Sequence, residues 1–417
     1  MTVSSDVHRT VDAVWRMESA KVIAALSRMV RDVGVAEELA QDALLAALQQ
    51  WPESGVPQNP GAWLMAIAKR RAIDLFRRQE RHDRKLAELG RAAAMEDGGA
   101  EFDAALEADT IADDMLRLVF VSCHPVLSTQ ARVALTLRLI GGLRTDEIAR
   151  AFLVTEPTIA QRIVRAKKAL AKAGVPFEVP APDERVARLS SVLEVLYLIF
   201  NEGYAATAGD DLMRPALCEE ALRLGRILAG LMPGEPEVHG LLALLEIQAS
   251  RSRARLGQGG EPVLLLDQDR GRWDHLQIRR GIAALERAEE LGTVGPYTIQ
   301  AAIAACHARA GRPEDTDWQR IAKLYGVLAE LTPSPVIELN RAVAIAMADG
   351  PQAGLDLVDA LAADGKLRDY HLLPAARADL LAKLGRTEEA RAEFERAASL
   401  TRNERERTLL RSRAGEC

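Results

Sequence analysis

Apolar side chains recur at intervals of three and four residues along most of this chain, which is the spacing of one face of an α-helix. The pattern runs from Val11 to Val30, resumes after Gly34 and starts again near Gly61. Aromatic residues make up only 4% of the 417 residues, and Ala, Leu and Arg dominate, so residues that favour strands are scarce. The sequence therefore predicts an all-α protein.

Charge is distributed unevenly along the chain, although the net charge is only −6. Residues 62–85 carry eight basic and three acidic side chains, and residues 144–172 carry seven basic and three acidic ones. Residues 92–114 carry eight acidic side chains and no basic one. Two basic segments separated by an acidic stretch are typical of a protein that contacts DNA at two places, although solvated helix faces have the same composition.

The second basic segment has the pattern of a helix-turn-helix. A short helix is predicted to begin at Thr145 and to be followed by a turn at Leu153. Thr155 is placed to cap a second helix, in which Ile159 and Ile163 point inward. The outward face of such a helix enters a major groove in DNA-binding proteins, although a basic helical hairpin without a DNA partner has the same pattern. The side chains that we expect at the DNA are Thr155, Thr158, Gln161, Arg162, Arg165, Lys167 and Lys168.

The part of the chain after a proline-rich stretch is predicted to be helical, with a weak repeat of 35 to 40 residues. The clearest repeat unit is a helix from Leu373 to Leu384 followed by a helix that contains Ala390, Phe394 and Ala397. This arrangement is typical of the tetratricopeptide repeat. We therefore expect an α-solenoid domain, joined to the preceding part by a proline hinge.

Sequence motifs of catalysis are missing: there is no P-loop, no G-x-S-x-G and no H-E-x-x-H. The four cysteines are scattered without a C-x-x-C pair. We therefore predict that the protein is not an enzyme and needs no metal or cofactor. There is also no signal peptide and no run of 18 apolar residues, which predicts a cytoplasmic protein without a membrane span.

Four sequence blocks, taken in their order, resemble the bacterial RNA polymerase sigma factors. The blocks EELAQDALLAAL (Glu37–Leu48) and AWLMAIAKRRAIDLFRR (Ala62–Arg78) are similar to sigma region two. The blocks ARVALTLRLIGGLRTDEIA (Ala131–Ala149) and TIAQRIVRAKKAL (Thr158–Leu170) are similar to sigma region four. No middle domain fits between them, as in the extracytoplasmic-function (ECF) group. The segment LYLIFNEGY (Leu196–Tyr204) resembles the opening of the C-terminal tetratricopeptide-like extension that one ECF subgroup carries.

The resemblance implies a domain organisation, which we state as an expectation. It consists of sigma region two (residues 1–85), an acidic flexible linker (86–111), the region four helix-turn-helix (112–175), the proline hinge (176–182) and a tetratricopeptide-like helical regulatory domain (183–417).

The resemblance also implies a function: a sigma factor that binds core RNA polymerase and directs promoter-specific transcription initiation. The region four helix would read the −35 element as duplex through the seven residues named above. The residues implied at the melted −10 element are Arg70, Arg71, Asp74, Arg77 and Arg78. The residues implied at the β′ coiled coil of the polymerase are Glu38, Gln41, Asp42 and Leu45, and the β flap would be a second polymerase contact.

This sequence departs from the family pattern at three of the matched positions. Arg71 stands where the family usually has Asn, Pro157 replaces a common Gly, and Ala160 replaces a common Lys. We therefore expect that the base preference at −10 differs from that of the family and that one phosphate contact at −35 is missing.

Two other functions fit parts of the sequence. A helix-turn-helix transcriptional regulator with a helical sensor domain would act without core polymerase, and a protein-interaction scaffold would carry its basic helix incidentally. In the sigma-factor interpretation, the C-terminal domain modulates activity through an intramolecular contact with the sigma domains.

Overall fold

The computed structural model describes residues 2–87, 108–257 and 259–417. In these ranges the regular secondary structure consists of eighteen α-helices and several short 3-10 turns, with two isolated β-bridges. The predicted all-α class is confirmed. Most of the predicted acidic linker at residues 86–111 lies outside the described residues. The chain divides into two compact units, Met1–Val195 and Leu196–Cys417.

The first unit contains seven complete helices and the start of an eighth, which crosses the boundary between the units. They are α1 (Thr2–Val30), α2 (Val33–Ser54), α3 (Pro60–Ala87), α4 (Ala108–Ser122), α5 (Thr129–Leu139), α6 (Thr145–Ala151), α7 (Glu156–Lys172) and α8 (Pro182–Tyr204).

Helices α1, α2 and α3 pack against one another around an apolar core. Ile23, Trp51 and Leu64 are almost fully buried there, and Trp63 packs edge-on against Trp51 with ring centroids 5.3 Å apart. Helix α2 begins where the Asp32 carboxylate accepts hydrogen bonds from two backbone N–H groups of its first turn. It continues through Pro52 to Ser54, because a proline in the last turn removes few helical hydrogen bonds.

Helices α6 and α7 form the predicted helix-turn-helix. Ile159 and Ile163 are buried, as expected, and Leu153 makes the turn with a left-handed φ of 50°. Thr155 stands at the N-cap position of α7, but its hydroxyl pairs with that of Thr158 at 2.8 Å and makes no capping bond. The predicted N-cap position of Thr155 is therefore confirmed, but its side chain bonds to the neighbouring hydroxyl and not to a backbone N–H group.

A buried carboxylate connects α2 to α5 and α7. Glu37 is only 2% exposed; its Oε1 accepts from Arg138 Nε at 2.6 Å, and its Oε2 forms an ion pair with Lys167. Gln41 Nε2 also donates to Glu37 Oε1 at 2.6 Å. Burial raises the pKa of a carboxyl group, but the Lys167 ammonium and the Arg138 guanidinium outweigh burial and hold the pKa of Glu37 below its ordinary value. Glu37 is therefore ionised, with one cation beside each carboxylate oxygen.

The first half of α8 packs on α4 and α5 through polar contacts. Ser191 Oγ donates to the Cys123 carbonyl at 2.6 Å, and Arg188 donates to the Phe120 carbonyl at 3.2 Å. Arg132 forms an ion pair with Glu194 at 3.0 Å. These contacts extend the first compact unit past the proline stretch at residues 176–182.

The second unit is a succession of helices, most of which pack mainly against their neighbours in sequence. They are α9 (Pro215–Leu231), α10 (Pro236–Ala249), α11 (His275–Glu290), α12 (Pro296–Arg309), α13 (Trp318–Leu331), α14 (Pro335–Asp349), α15 (Pro351–Asp364), α16 (Leu372–Lys383), α17 (Thr387–Leu400) and α18 (Glu404–Glu416). Nearest-neighbour packing of this kind is the construction principle of helical repeat proteins.

Helices α16 and α17 correspond to the predicted repeat unit. Phe394 and Ala397 of α17 are buried against Ala378 of α16, and Ala390 is buried with the preceding helices. The residues that carry the repeat pattern in the sequence are therefore the ones that join the two helices.

Helices that could cross a lipid bilayer are not found in the described part of the chain. Among the same residues, no cluster of His, Cys, Asp and Glu could hold a metal ion. Cys123, Cys218 and Cys306 are buried thiols, and Cys417 is exposed.

Replacing Glu37 by Gln should lower the free energy of unfolding at pH 7 by about 3 kcal/mol, because two partly buried cations lose their counter-charge. The pKa of Glu37 is depressed in the folded protein, so this stabilisation is complete above the unfolded pKa of about 4.3 and is lost as the pH falls through the folded pKa. Urea unfolding of both proteins at neutral pH and near pH 3 measures the difference.

Glu38→Gln is the matched control, because Glu38 is the next residue on α2 and is exposed. It should change stability at pH 7 by less than about 0.5 kcal/mol. A Glu37→Gln protein as stable as the Glu38→Gln protein at pH 7 would show that the buried carboxylate contributes nothing to the packing of α2 on α5 and α7.

Candidate functional site

Helix α7 has two chemically different faces. The inner face is apolar and buried, and the outer face exposes Thr158, Gln161, Arg165 and Lys168, with Arg162 half-buried beside them. No carboxylate in the described ranges forms an ion pair with Arg162, Arg165 or Lys168. Their charges are therefore available to an anion outside the protein. Thr155, at the start of the helix, is also exposed.

Lys167 differs from the other basic residues of α7. It is half-buried, and its ammonium pairs with Glu37 of α2. A phosphate contact by Lys167 would first require this ion pair to break. The sequence pattern does not reveal the difference, because Lys167 and Lys168 are adjacent and identical in type.

A groove of about 290 Å³ runs between α2 and α3. Glu38 and Asp42 of α2 line one wall, and Arg71, Asp74 and Arg78 of α3 line the other. The structure therefore brings part of the predicted polymerase-docking set and part of the predicted −10 set to the same groove. Exposed carboxylates and guanidinium groups face solvent there together.

Leu45 and Gln41 have opposite environments on α2. Leu45 is 55% exposed, which is unusual for a large apolar side chain and is a feature of protein-binding surfaces. Gln41 donates its amide hydrogen to the buried Glu37. Gln41 therefore has a structural role, because it adds a hydrogen bond to the buried carboxylate.

The basic residues predicted at −10 lie on an exposed stripe of α3. Arg70, Arg71, Arg77 and Arg78 are exposed, and Asp74 is exposed among them. Their spacing of three and four residues places them along one side of the helix, while Leu64, Met65, Ala68 and Ala72 are buried on the other. The stripe therefore presents four guanidinium groups and one carboxylate on the exposed side of α3.

A second buried carboxylate, which the sequence analysis did not single out, joins α1 to α4. Asp114 accepts from Arg28 at 3.0 Å and from Arg117 at 2.7 Å. Burial raises the pKa of Asp114 above its ordinary value, although both guanidinium groups oppose the increase. Asp114 belongs to the acidic run at residues 92–114, and its hydrogen-bonding partner Arg28 is 86 positions away, so no local pattern distinguishes it.

Three segments of the chain match described protein families. Residues 15–82 match Sigma-70 region 2, and residues 117–170 match Sigma-70 region 4. Residues 188–289 match a family of unknown function, DUF6596. The sigma-70 matches fall on α1–α3 and on α4–α7, and the third match covers α8–α11.

Curated relatives extend the similarity. An uncharacterised protein of Rhizobium meliloti (strain 1021) is 44% identical over 391 residues, which cover 94% of this chain and 92% of that protein. The "Probable ECF RNA polymerase sigma factor SigI" of Mycobacterium tuberculosis (strain CDC 1551 / Oshkosh) is 28% identical over 180 residues, covering 43% of this chain and 60% of that protein. The ECF RNA polymerase sigma factor SigK of Mycobacterium sp. (strain KMS) is 28% identical over 162 residues, covering 37% of this chain and 79% of that protein. No solved structure matches significantly.

The two sigma-70 matches occur in the order predicted from the sequence blocks. The similarity to ECF sigma factors supports the same family assignment. The matched segments carry the exposed basic stripe of α3 and the exposed cationic face of α7. The chain therefore belongs to the extracytoplasmic-function RNA polymerase sigma factors and carries a C-terminal helical extension.

Proposed function

We propose that this protein binds core RNA polymerase and directs initiation at specific promoters by reading the −35 element with α7 and the melted −10 element with α3. The observation that carries the proposal is the exposed face of α7. Arg162, Arg165 and Lys168 stand on it without carboxylate partners in the described ranges, opposite a buried isoleucine face that fixes the helix. The polymerase supplies the nucleotide chemistry.

The proposed −35 contact uses the major groove. An α-helix fits that groove, and guanidinium groups offer paired donors to the base edges of guanine. Arg162 and Arg165 are three residues apart and therefore lie on neighbouring turns of the same face. Thr155 and Thr158, at the N-terminal end of α7, and Lys168, further along, are placed for phosphate contacts.

The proposed −10 contact uses the stripe of α3 and the loop that precedes it. The stripe supplies four exposed guanidinium groups that attract the backbone of a separated strand. Trp63 is half-buried at the start of α3 and close to the loop at residues 55–59. An unstacked base can be held there by stacking and by edge hydrogen bonds.

The proposed polymerase-docking surface consists of Glu38, Asp42 and Leu45. These residues share one face of α2, and all three are exposed. An exposed leucine beside two carboxylates suits a helical partner that offers an apolar stripe with basic side chains. We assign the β′ coiled coil to this surface, and we assign the β flap to region four.

The second unit is proposed to modulate the activity of the first. Helical repeat arrays form extended surfaces that bind other proteins or segments. This unit comprises more than half of the chain, a size that suggests a function beyond stabilising the sigma module.

Replacing Arg165 by Ala should weaken binding of a −35 duplex by about 1–3 kcal/mol if Arg165 reads a base, with relaxed specificity at one position. If Arg165 contacts only phosphate, affinity should fall for every sequence, and the dependence of log K on log salt should weaken by about one. Fluorescence anisotropy of labelled duplexes over a salt series separates the two results.

The matched control for α7 is Arg279→Ala, which removes an exposed arginine from α11 of the second unit. It should leave −35 binding unchanged. If the double variant Arg162→Ala, Arg165→Ala binds the −35 duplex as well as the control does, then α7 is not the DNA-reading helix.

Replacing Asp42 and Leu45 together by Ala should weaken association with core polymerase by at least about tenfold, because the variant loses an exposed apolar contact and a charge. Thermal stability should stay close to that of the unaltered protein, since both side chains are exposed. Gln50→Ala, an exposed change on another face of α2, is the control. Equal affinities of the two variants for core polymerase in a fluorescence titration would contradict the docking assignment.

Truncation after Tyr204 should lower promoter-specific run-off transcription severalfold while −35 duplex binding stays unchanged. This end point keeps all of α8, whose first half packs on α4 and α5. Circular dichroism verifies that the truncated protein is folded. Transcription equal to that of the full chain would mean that the second unit is not an activator, and higher transcription would identify a tethered inhibitor.

The alternative function, a regulator that acts without polymerase, is tested by the same assay. A sigma factor yields a specific transcript only when core polymerase and the protein are both present. Promoter-specific transcription by core polymerase alone, or the absence of a transcript with both components, would contradict the sigma-factor proposal.

A further inference from the structure

The LYLIFNEGY segment at the end of α8 forms one wall of a cavity inside the second unit. The cavity has a volume of about 330 Å³, and Tyr197, Phe200, Asn201 and Tyr204 line it. These residues are three and four positions apart, so they lie on one face of the helix. The opposite wall comes from α10, α12, α13 and α14.

The other polar and small residues of this segment have structural tasks. Glu202 pairs with Arg214 and accepts from the Thr207 hydroxyl at 2.9 Å. Gly203 is packed so closely that an added Cβ would lie 2.6 Å from the backbone nitrogen of Cys218. Tyr197 also holds the segment in place, because its hydroxyl donates to Gln300 Oε1 at 3.1 Å and its ring packs edge-on against Tyr297.

The cavity contains a buried cation without a counter-charge. Arg251 is only 9% exposed, and no carboxylate in the described part of the chain pairs with it. Its guanidinium carbon lies 5.8 Å from the ring centre of Tyr204 and 5.9 Å from that of Trp273, and its Nε has no hydrogen-bond partner. Burying an unpaired charge is costly, so a residue of this kind needs a specific reason to be there.

Neighbouring arginines show what an ordinary structural arginine does in this unit. Arg270 donates to the carbonyl oxygens of His307 and Ala310, at 2.5 and 2.6 Å. Arg255 donates to the carbonyl of Tyr204 and stacks on its ring at 3.7 Å. Arg251 makes no such bonds with its side chain, although it is more fully buried than Arg255 or Arg270.

Two further polar groups at the cavity lack partners. Gln248 Oε1 and His307 Nδ1 are both buried and make no hydrogen bond. Burial and the positive charges of Arg251 and Arg270 lower the pKa of His307 to about 4, so its ring is neutral at pH 7. Buried polar groups without partners beside a cavity are a feature of ligand sites.

The lining indicates the chemistry of the ligand. Arg251 is the one cationic side chain in the described lining, which contains no acidic residue. A single guanidinium matches a carboxylate, which it can bind through two parallel hydrogen bonds, whereas a phosphate carries more charge than one guanidinium neutralises. The rings of Tyr197, Phe200, Tyr204 and Tyr325 suit a flat apolar group.

The size of the cavity limits the ligand further. A volume of about 330 Å³ lies at the lower end of small-molecule sites, which start near about 300 Å³. A site of this size holds a compact organic acid and is too short for an extended peptide of several residues.

We propose that the second unit binds a small aromatic carboxylate in this cavity, with the carboxylate on Arg251 and the ring among the tyrosines. The bound carboxylate supplies the counter-charge that Arg251 lacks within the described part of the protein. The ring of the ligand packs against the aromatic side chains of the lining. Gln248 and His307 also belong to the lining of the cavity. The proposal is independent of promoter recognition by the first unit.

The test uses the full-length protein and three probes: phenylacetate, 4-hydroxybenzoate and indole-3-acetate. The neutral control is phenylacetamide, which keeps the ring and lacks the charge. Isothermal titration and thermal unfolding should show that at least one acid binds and raises the melting temperature, whereas the amide does neither.

Arg251→Gln should weaken binding of that acid at least about tenfold. The matched control, Arg279→Gln on the exposed face of α11, should bind as the unaltered protein does. Asn340→Asp is a second variant that adds a negative charge to the exposed end of the lining, where it does not threaten folding. It should also weaken binding, by like-charge repulsion.

Several results would overturn the proposal. One is that none of the three acids binds the unaltered protein at about 10 mM. Another is that the amide binds as well as the acids. If Arg251→Gln does not fold, Asn340→Asp decides, and unchanged affinity in that variant rejects the site.

Discussion

The first unit depends on the ionised carboxylate of Glu37. It is buried between α2, α5 and α7, and it is stable there because Arg138 and Lys167 supply positive charge while Gln41 adds a hydrogen bond. A carboxylate in this position without these partners would be strongly destabilising. The same ion pair fixes one side of α7, so the packing that holds the helix leaves its other side, with Arg162 and Arg165, facing solvent.

Lys167 links this packing to the proposed function. It belongs to the basic run of α7 but is held by Glu37 in the structure. In any DNA complex in which Lys167 contacts a phosphate, the phosphate must replace the Glu37 carboxylate as the counter-charge of Lys167. A phosphate contact by Lys167 would therefore be coupled to the packing of α7 on α2, whereas contacts by Arg165 and Lys168 would not be.

The second unit contains a buried charge that, unlike Glu37, has no counter-charge among the described residues. Glu37 has two cations within reach, whereas Arg251 has aromatic rings and unpartnered polar atoms around it. The first arrangement is complete within the protein and stabilises it. The second is incomplete without an anion, which is why we assign a ligand to the cavity and a structural role to Glu37.

Periodicity and motif order in the sequence determined the helical class, the helix-turn-helix and the family, because helix faces and the sigma blocks are local patterns. Ile159, Ile163 and Phe394 are buried as their spacing predicted. Only the tertiary structure decided which polar residues are internal: Glu37 meets Arg138 across 101 positions of sequence. The tertiary structure also buries Arg251 without an acidic partner in the described ranges. Such pairings arise from how helices pack, and adjacent residues of one type can receive different partners, so no local pattern records them.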